Sequence, residues 1–231
     1  MSQIYTSRIV AKESMAEDTT QVSFERPKNF SFTAGQHIQL VVEKLHYSDP
    51  KGRSRVFSIC SSPANKETLS VVFRETGSGF KKTLSELQVG ENVLVEGPFG
   101  FFTLPESKDA RHLFIAGGIG IAPFVSMLTQ DRDVSNGAHI TLLYANRKEE
   151  LAAFIEELQE LDKISDWFDL DMIYGHVEQK HLTKYIDSDT SLSHLHWWIV
   201  GPPTMVTDTK YMIESLGVWA DKIHTEEFIG Y

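Results

Sequence analysis

Cysteine is almost absent: Cys60 stands alone among 231 residues. One thiol cannot close an internal disulfide, complete a zinc site or hold an iron–sulfur cluster. Any redox centre is therefore expected to be a bound organic cofactor or to belong to another protein. No apolar run approaches the ~20 residues that a membrane-spanning helix needs. The opening segment, MSQIYTSRIVAKES, has no apolar stretch of signal-peptide length, so a cytoplasmic protein is expected. Basic residues are in the minority, 22 Lys and Arg against 32 Asp and Glu, for a net charge of −10. An acidic surface repels nucleic-acid phosphates and anionic membrane, and neither is expected as a partner. Repeats and low-complexity stretches are missing as well. What is present is ordinary globular composition, 41% hydrophobic and 23% charged. That suffices for two domains of roughly 100–130 residues each.

The pattern changes character near Pro105–Ala110. Before it, short β-rich segments are punctuated by Gly and Pro: Ile38–Val42, Arg55–Cys60, Leu69–Arg74 and Asn92–Glu96 among them. Such spacing predicts an antiparallel barrel. A short helix is expected at Phe80–Leu87, ended by Gly90. After Ala110, strands alternate with helices. Strands are predicted at His112–Ala116, Ile140–Tyr144, Phe168–Tyr174, Trp197–Val200 and Lys222–Phe228. Helices are predicted from Pro123, over Leu151–Leu161 and over Met205–Leu216, with Gly217 at a C-cap position. This alternation points to a doubly wound parallel sheet. The expected fold class is β + α/β, with domains at 1–106 and 107–231.

Four segments carry chemistry. In Leu113-Phe-Ile-Ala-Gly-Gly-Ile-Gly-Ile-Ala-Pro123, a buried strand runs through glycines into a helix start. Gly118 and Gly120 let backbone approach a pyrophosphate, and the helix start offers N–H donors. A tight glycine turn without ligand is the alternative. In Arg55-Val-Phe-Ser58, the arginine fork can pair with phosphate and the serine hydroxyl can reach a ring nitrogen. Taken alone, the tetrapeptide reads better as an edge strand with its arginine in solvent. Glu75-Thr-Gly-Ser-Gly-Phe-Lys-Lys82 opens the short helix, where N–H groups can bind phosphate or simply make a turn. Val200-Gly-Pro-Pro-Thr-Met205 turns sharply from a strand end into a helix, the place where ligands sit in such sheets.

Together these segments resemble the ferredoxin–NADP reductase superfamily along nearly the whole chain. Phe32-Thr-Ala-Gly-Gln36 is similar to its F-x-x-G-Q strand and Arg55-Val-Phe-Ser58 to its R-x-Y-S flavin motif. Glu96-Gly-Pro-Phe-Gly-Phe-Phe102 is similar to its G-P-x-G-x-F strand, Gly118–Pro123 to its nicotinamide-nucleotide motif and Tyr144-Ala-Asn-Arg147 to Y-x-N-R. Gly201-Pro-Pro-Thr-Met205 matches G-P-P-x-M, and Glu226-Glu-Phe228 is similar to E-x-F.

The resemblance implies an N-terminal antiparallel β-barrel that binds FAD, followed by a doubly wound NAD(P)-binding domain. FAD rather than FMN follows from the resemblance alone. It implies that Arg55 binds the FAD phosphates and that Ser58 donates a hydrogen bond near flavin N5. Val56 lies in the same motif, and Phe57 packs along the isoalloxazine or ribityl chain. The Gly77–Lys81 loop (Gly77, Ser78, Gly79, Phe80, Lys81) holds the pyrophosphate. Gly118, Gly120 and Pro123 shape the NAD(P)H pyrophosphate site, while Asn146 and Arg147 serve the adenosine end. Gly201, Pro202 and Met205 border the nicotinamide, Glu226 relays protons, and Tyr231 stacks on the flavin face. Three positions depart from the family pattern: Phe57 for tyrosine, Val200 for cysteine and His176 for arginine.

The function these readings imply is hydride transfer from NAD(P)H to FAD, then electron transfer to a separate acceptor. The acceptor is a ferredoxin, a flavodoxin, an oxygenase component or a small molecule. A chain of this size leaves no room for a fused globin or cluster domain. The alternatives are a free-flavin or ferric reductase and a non-catalytic flavin- or nucleotide-binding subunit. The nine histidines show no metal-ligand spacing, His194 and His196 included, so no metal is expected. Trp197 and Trp198 read as sheet core, Cys60 as a small buried apolar residue, and 149–160 as a solvated acidic helix face. A monomer is expected.

Overall fold

The structure is a computed structural model that describes residues 3–105, 111–130, 138–186 and 194–228. Its elements in chain order are β1 (Ile4–Ala16), β2 (Thr19–Glu25), β3 (His37–Val42), β4 (Ser54–Ser58), β5 (Thr68–Arg74), α1 (Gly79–Glu86), β6 (Asn92–Phe99), β7 (Arg111–Gly117), α2 (Ala122–Leu128), β8 (His139–Asn146), α3 (Ile155–Ile164), β9 (Phe168–Tyr174), α4 (Gln179–Thr183), β10 (Leu195–Gly201), α5 (Pro203–Ser215) and β11 (Ile223–Glu227). They form two compact units. One contains the described residues up to Leu104 together with Ala122–Gln130, and the other contains the rest. The expected junction at 106/107 lies outside the described residues.

In the first unit, period-two alternation turns every second side chain inward. β3 shows it most cleanly: Ile38, Leu40 and Val42 are fully buried, while His37, Gln39 and Val41 are half-buried. The six strands run in the order β4-β3-β6-β1-β2-β5, all neighbours antiparallel. A single antiparallel bridge, Ile59 to Val71, joins the two ends of this sheet. Ile9, Val22, Phe24, Leu69, Val71, Phe73, Phe80 and Val95 fill the interior. Each such side chain contributes about 1.5–3 kcal/mol when removed from water. β1 serves two neighbours: Ile4–Arg8 pair with β6, and the stretch from Ile9 to Ala16 pairs with β2. α2 is tied to this unit by Ser126 Oγ donating to Ser61 O (2.7 Å) and Ser62 Oγ donating to Thr129 O (2.8 Å).

The second unit is a five-stranded sheet in the order β11-β10-β7-β8-β9, with every pairing parallel. β7 is its centre and is buried on both faces from His112 onward, the continuous apolar pattern of a covered parallel strand. The chain builds outward through β8 to β9, then returns to β10 on the other side of β7. The carboxyl ends of β7 and β10 therefore meet where the winding reverses, the usual ligand position in such sheets. One core cluster joins Leu113, Ile115, Leu143, Trp197 and Ile199 to Leu182 of α4 and to Val206 and Ile213 of α5. Trp197 and Trp198 are both buried, on alternate faces of β10. Among the described residues no helix is long and apolar enough to cross a membrane.

One predicted element is shorter than expected. Helical spacing over Leu151–Leu161 predicts a single helix, but α3 begins only at Ile155. Glu149–Leu151 is a separate 3-10 turn, and Phe154 has left-handed backbone, φ 62°. Ala152, Ala153 and Phe154 are buried as a loop rather than as a helical turn, and Tyr144 Oη donates to Ala153 O (3.3 Å). The apolar spacing is thus a packing pattern that two elements share.

Candidate functional site

Arg55 lies on β4 opposite Leu40 of β3. Its guanidinium lies over the Phe80 ring, 5.2 Å from the centroid. One terminal nitrogen donates to the carbonyls of Lys51 (3.2 Å), Gly52 (3.1 Å) and Ser54 (2.6 Å). The other donates to Asp49 Oδ1 at 2.5 Å. Asp49 also accepts from Lys51 N (2.9 Å), Ser78 Oγ (2.7 Å) and Phe80 N (2.9 Å). The Phe80 N–H foremost, then the Ser78 hydroxyl, Lys51 N–H and Arg55, hold the Asp49 carboxyl well below the usual carboxylate range despite its desolvation. Ser78 is the N-cap of α1 and also accepts from Lys81 N (3.4 Å). Gly79 follows because a Cβ there would stand 2.5 Å from Ser48 O and 2.8 Å from Tyr47 O. Gly77 has a left-handed φ of 71° in the same loop.

Lys81 is buried, donating to Arg74 O (3.0 Å) and Thr76 Oγ1 (3.3 Å). Its pKa is pushed down to about 8, first by burial and then by the positive charges of Arg55, Arg74 and Lys51. A buried ammonium in a positive surround at a helix start suits a dianionic group such as a diphosphate. Farther along β4, Val56 is 59% exposed, whereas Phe57 lies in the barrel interior against Phe73 (5.8 Å) and Phe80 (6.0 Å). Ser58 is buried at the strand end opposite His37.

In the second unit the glycines are required by close approach. A Cβ on Gly120 would lie 2.4 Å from Val200 O, and one on Gly117 would lie 2.2 Å from Met205 Sδ and 3.3 Å from Pro202 Cδ. Gly201 sits under the same methionine, and its carbonyl accepts from Phe228 N (2.9 Å). Gly118 has φ 54°. β7 and β10 thus end in tightly packed backbone, with Glu226 of β11 in register with Val200. Pro123 is the second residue of α2.

Asn146, at the end of β8, is only 4% exposed, yet neither its Oδ1 nor its Nδ2 has a hydrogen-bond partner among the described residues. Its carbonyl accepts from Gly175 N (2.8 Å), which draws the ends of β8 and β9 together. Arg147 is exposed at the same edge. A pocket of about 480 Å³ opens beyond β9, lined among others by Tyr174, Gly175, His176, Lys180 and Lys184. Two of its cations are matched, Lys184 by Asp171 (2.6 Å) and Lys180 by Glu178 (3.0 Å). The unsatisfied buried amide atoms of Asn146 fit a polar ligand such as a dinucleotide laid along this carboxyl edge.

The first half, residues 6–104, matches the oxidoreductase FAD-binding domain family, and residues 114–211 match the oxidoreductase NAD-binding domain family. The chain belongs to the ferredoxin–NADP reductase superfamily. Ferredoxin–NADP reductase B of Sorangium cellulosum is 32% identical over 166 residues, 70% of this chain and 66% of that protein. The ferredoxin reductase component of Mycobacterium tuberculosis 3-ketosteroid-9-alpha-monooxygenase is 29% identical over 87% of this chain and 56% of its own. The chain therefore spans 56% to 66% of these curated relatives. Among solved folds, the ferredoxin–NADP reductase of Plasmodium falciparum superposes with TM-score 0.80 at 20% identity, covering 97% of this chain and 96% of that one. The Neisseria gonorrhoeae enzyme, with bound FAD and NADP, has the same score and identity and covers 97% and 98%. As in the superfamily, an FAD-binding half precedes an NAD-binding half.

Within this superfamily member, the structure gathers Arg55, Ser78, Gly79, Phe80 and Lys81 at the head of α1. It gathers Gly118, Gly120, Gly201, Pro202 and Met205 at the β7–β10 edge. Asn146 and Arg147 stand one strand farther out. Tyr231 lies outside the described residues. Sequence reasoning missed Asp49, which reads locally as part of a Ser-Asp-Pro-Lys-Gly turn, and Gly117, which directly precedes the G-x-G pair. It also missed a histidine cluster: His196 Nδ1 lies 3.0 Å from His224 Nε2, and Trp198 Nε1 donates to His112 Nδ1 (3.2 Å). Among the described residues no group of His, Cys, Asp and Glu is arranged to hold a metal ion.

Proposed function

We propose that this chain takes a hydride from NAD(P)H onto FAD and delivers electrons to a separate acceptor, a ferredoxin, a flavodoxin or an oxygenase component. The observation that carries the reading is the carboxyl edge of the parallel sheet, where the buried Asn146 amide is unsatisfied one strand from the closely packed Gly117–Gly120 turn. The names of the relatives, a ferredoxin–NADP reductase and an oxygenase's reductase component, support the acceptor class. Residues 1–106 hold FAD and 107–231 hold the nicotinamide nucleotide. Bound FAD supplies the chemistry, accepting two electrons together and releasing them singly.

The protein's part is binding and orientation. Arg55 and the Gly77–Lys81 loop neutralise the flavin diphosphate, and Val56 and Phe57 support the flavin from β4. Ser58 holds a hydrogen bond at N5. Gly118, Gly120 and Pro123 shape the nucleotide pyrophosphate site. Asn146 and Arg147 take the adenosine end. Gly201, Pro202 and Met205 border the nicotinamide. Glu226 relays protons near the ring. The protein acts in the cytoplasm as a monomer, with no nucleic-acid or membrane partner.

An anaerobic absorbance titration with NADH and NADPH separately tests this. Bleaching of the flavin band is the expected result, and the better donor defines the role of Arg147. A yellow protein that stays oxidised with both would leave a non-catalytic binding subunit. A second reading, flavin as an exchangeable substrate, is favoured by the four hydrogen bonds that already occupy Arg55. Turnover that rises with added free flavin, with no protein acceptor present, would select it.

A further inference from the structure

The groups assigned to the flavin diphosphate are already in use. Ser78 Oγ and Phe80 N each have one proton, and both protons go to Asp49 Oδ2. The Arg55 guanidinium closes on Asp49 Oδ1. Asp49 is nearly solvent-free, with its side chain 3% exposed, and it receives the donor set that a phosphate receives at a helix start: a main-chain N–H, a hydroxyl and a guanidinium. The head of α1 is a positive neighbourhood, where Arg55, Arg74 and Lys51 all act on Lys81. Asp49 is also held from a loop rather than a strand. Gly52 N donates to Asp49 O (3.0 Å), and the segment lies between β3 and β4, outside their ladder.

We propose that Asp49 is an internal anion that fills the diphosphate position in the flavin-free protein, and that FAD loading exchanges this carboxylate for the diphosphate. The inference rests on the FAD-binding reading of the first unit. The same donors cannot serve both anions, and leaving a carboxylate beside a diphosphate is repulsive at any protein dielectric. Asp49 therefore lowers flavin affinity by competing for the site. It also keeps a buried cationic cluster neutralised when no flavin is present, which is how Arg55, Ser78 and the head of α1 stay preassembled.

The test compares flavin-free wild type with Asp49→Asn by flavin fluorescence quenching, using FAD and, as a probe lacking phosphate, riboflavin. Asp49→Asn is expected to bind FAD at least about ten-fold more tightly, because one negative charge leaves the site. Riboflavin affinity is expected to stay within about two-fold, because that ligand brings no charge to the exchanged position. Equal or weaker FAD binding in the variant, with riboflavin still bound, would show Asp49 to be a clamp that positions Arg55, and would overturn the proposal alone. No quenching by either flavin in either protein would remove the FAD reading together with the proposal. If the variant does not fold, hydrogen–deuterium exchange on the wild type decides: FAD should speed exchange across residues 49–52 as the carboxylate is released. Slower or unchanged exchange there overturns the proposal.

Discussion

The α-carbon of Gly120 faces the carbonyl oxygen of Val200 so closely that an added Cβ would stand 2.4 Å from it. The obstructing atom is main chain at the end of a central strand and cannot turn aside. Gly120→Ala is therefore expected to cost about 1–3 kcal/mol through overpacking. It should also raise the KM for NAD(P)H several-fold while flavin stays bound. Thermal melts and steady-state kinetics on the same preparation check both.

Asn146 makes the opposite trade. A buried amide without partners costs about 1–3 kcal/mol. Asn146→Leu should therefore raise the unliganded melting temperature, while the shift produced by saturating NAD(P)H shrinks. A melt with and without nucleotide reads both. An unchanged nucleotide-induced shift would separate Asn146 from the nucleotide.

Arg55→Ala removes four hydrogen bonds from the Asp49–Ser54 loop and leaves Asp49 buried without its guanidinium. The purified variant is expected to lose most of its flavin, as measured by the ratio of flavin to protein absorbance. Full occupancy would show that Arg55 does not hold the diphosphate.

Ser58→Ala should keep its flavin but slow flavin reduction by NAD(P)H. The hydroxyl is buried at the end of β4 and contributes one hydrogen bond of about 1 kcal/mol. Stopped-flow bleaching measures the rate, and an unchanged rate would remove Ser58 from the reacting centre.

Acid should loosen the second unit through its histidines. Burial, then His196 and His224, push His112 down to about 4; burial, then His196 and Lys222, push His224 down to about 4 against Asp221. An unfolded histidine titrates near 6.5. Between those values the unfolded chain binds more protons, so stability is lost as pH falls from about 6.5 and the loss levels off below about 4. For the almost fully buried His112 the expected loss is about 3 kcal/mol. Denaturant melts at pH 7, 5.5 and 4 check the slope. His112→Gln keeps an acceptor for Trp198 and should flatten it.

Much of this was legible in sequence because it is local. Glycine-rich strand ends, alternation on β3 and the two-faced apolar run of β7 each declare themselves within a few residues. What escaped is nonlocal. Asp49 gains its meaning from Ser78 and Phe80, and His196 from His224, contacts that close only when the barrel and the sheet form. β1 escaped because its 13 residues serve two neighbours in turn, so no single face alternates along its length. The helix predicted from Leu151 misread Leu151 of a 3-10 turn and the buried loop residue Phe154 as part of one helical period.

The single Ile59–Val71 bridge gives the barrel a seam. β4 is laced to β3 along its whole length, while across the seam it meets β5 through the packed rings of Phe57 and Phe73 (5.8 Å), with Cys60 N donating to Ser70 O (2.9 Å) just beyond. The strand bearing Arg55 to Ser58 is laddered to the β3–β6 side, and the loop leading to α1, which follows β5, is tied across to it through Asp49. Along that seam the barrel is closed by packed rings and a short bridge rather than by a continuous ladder.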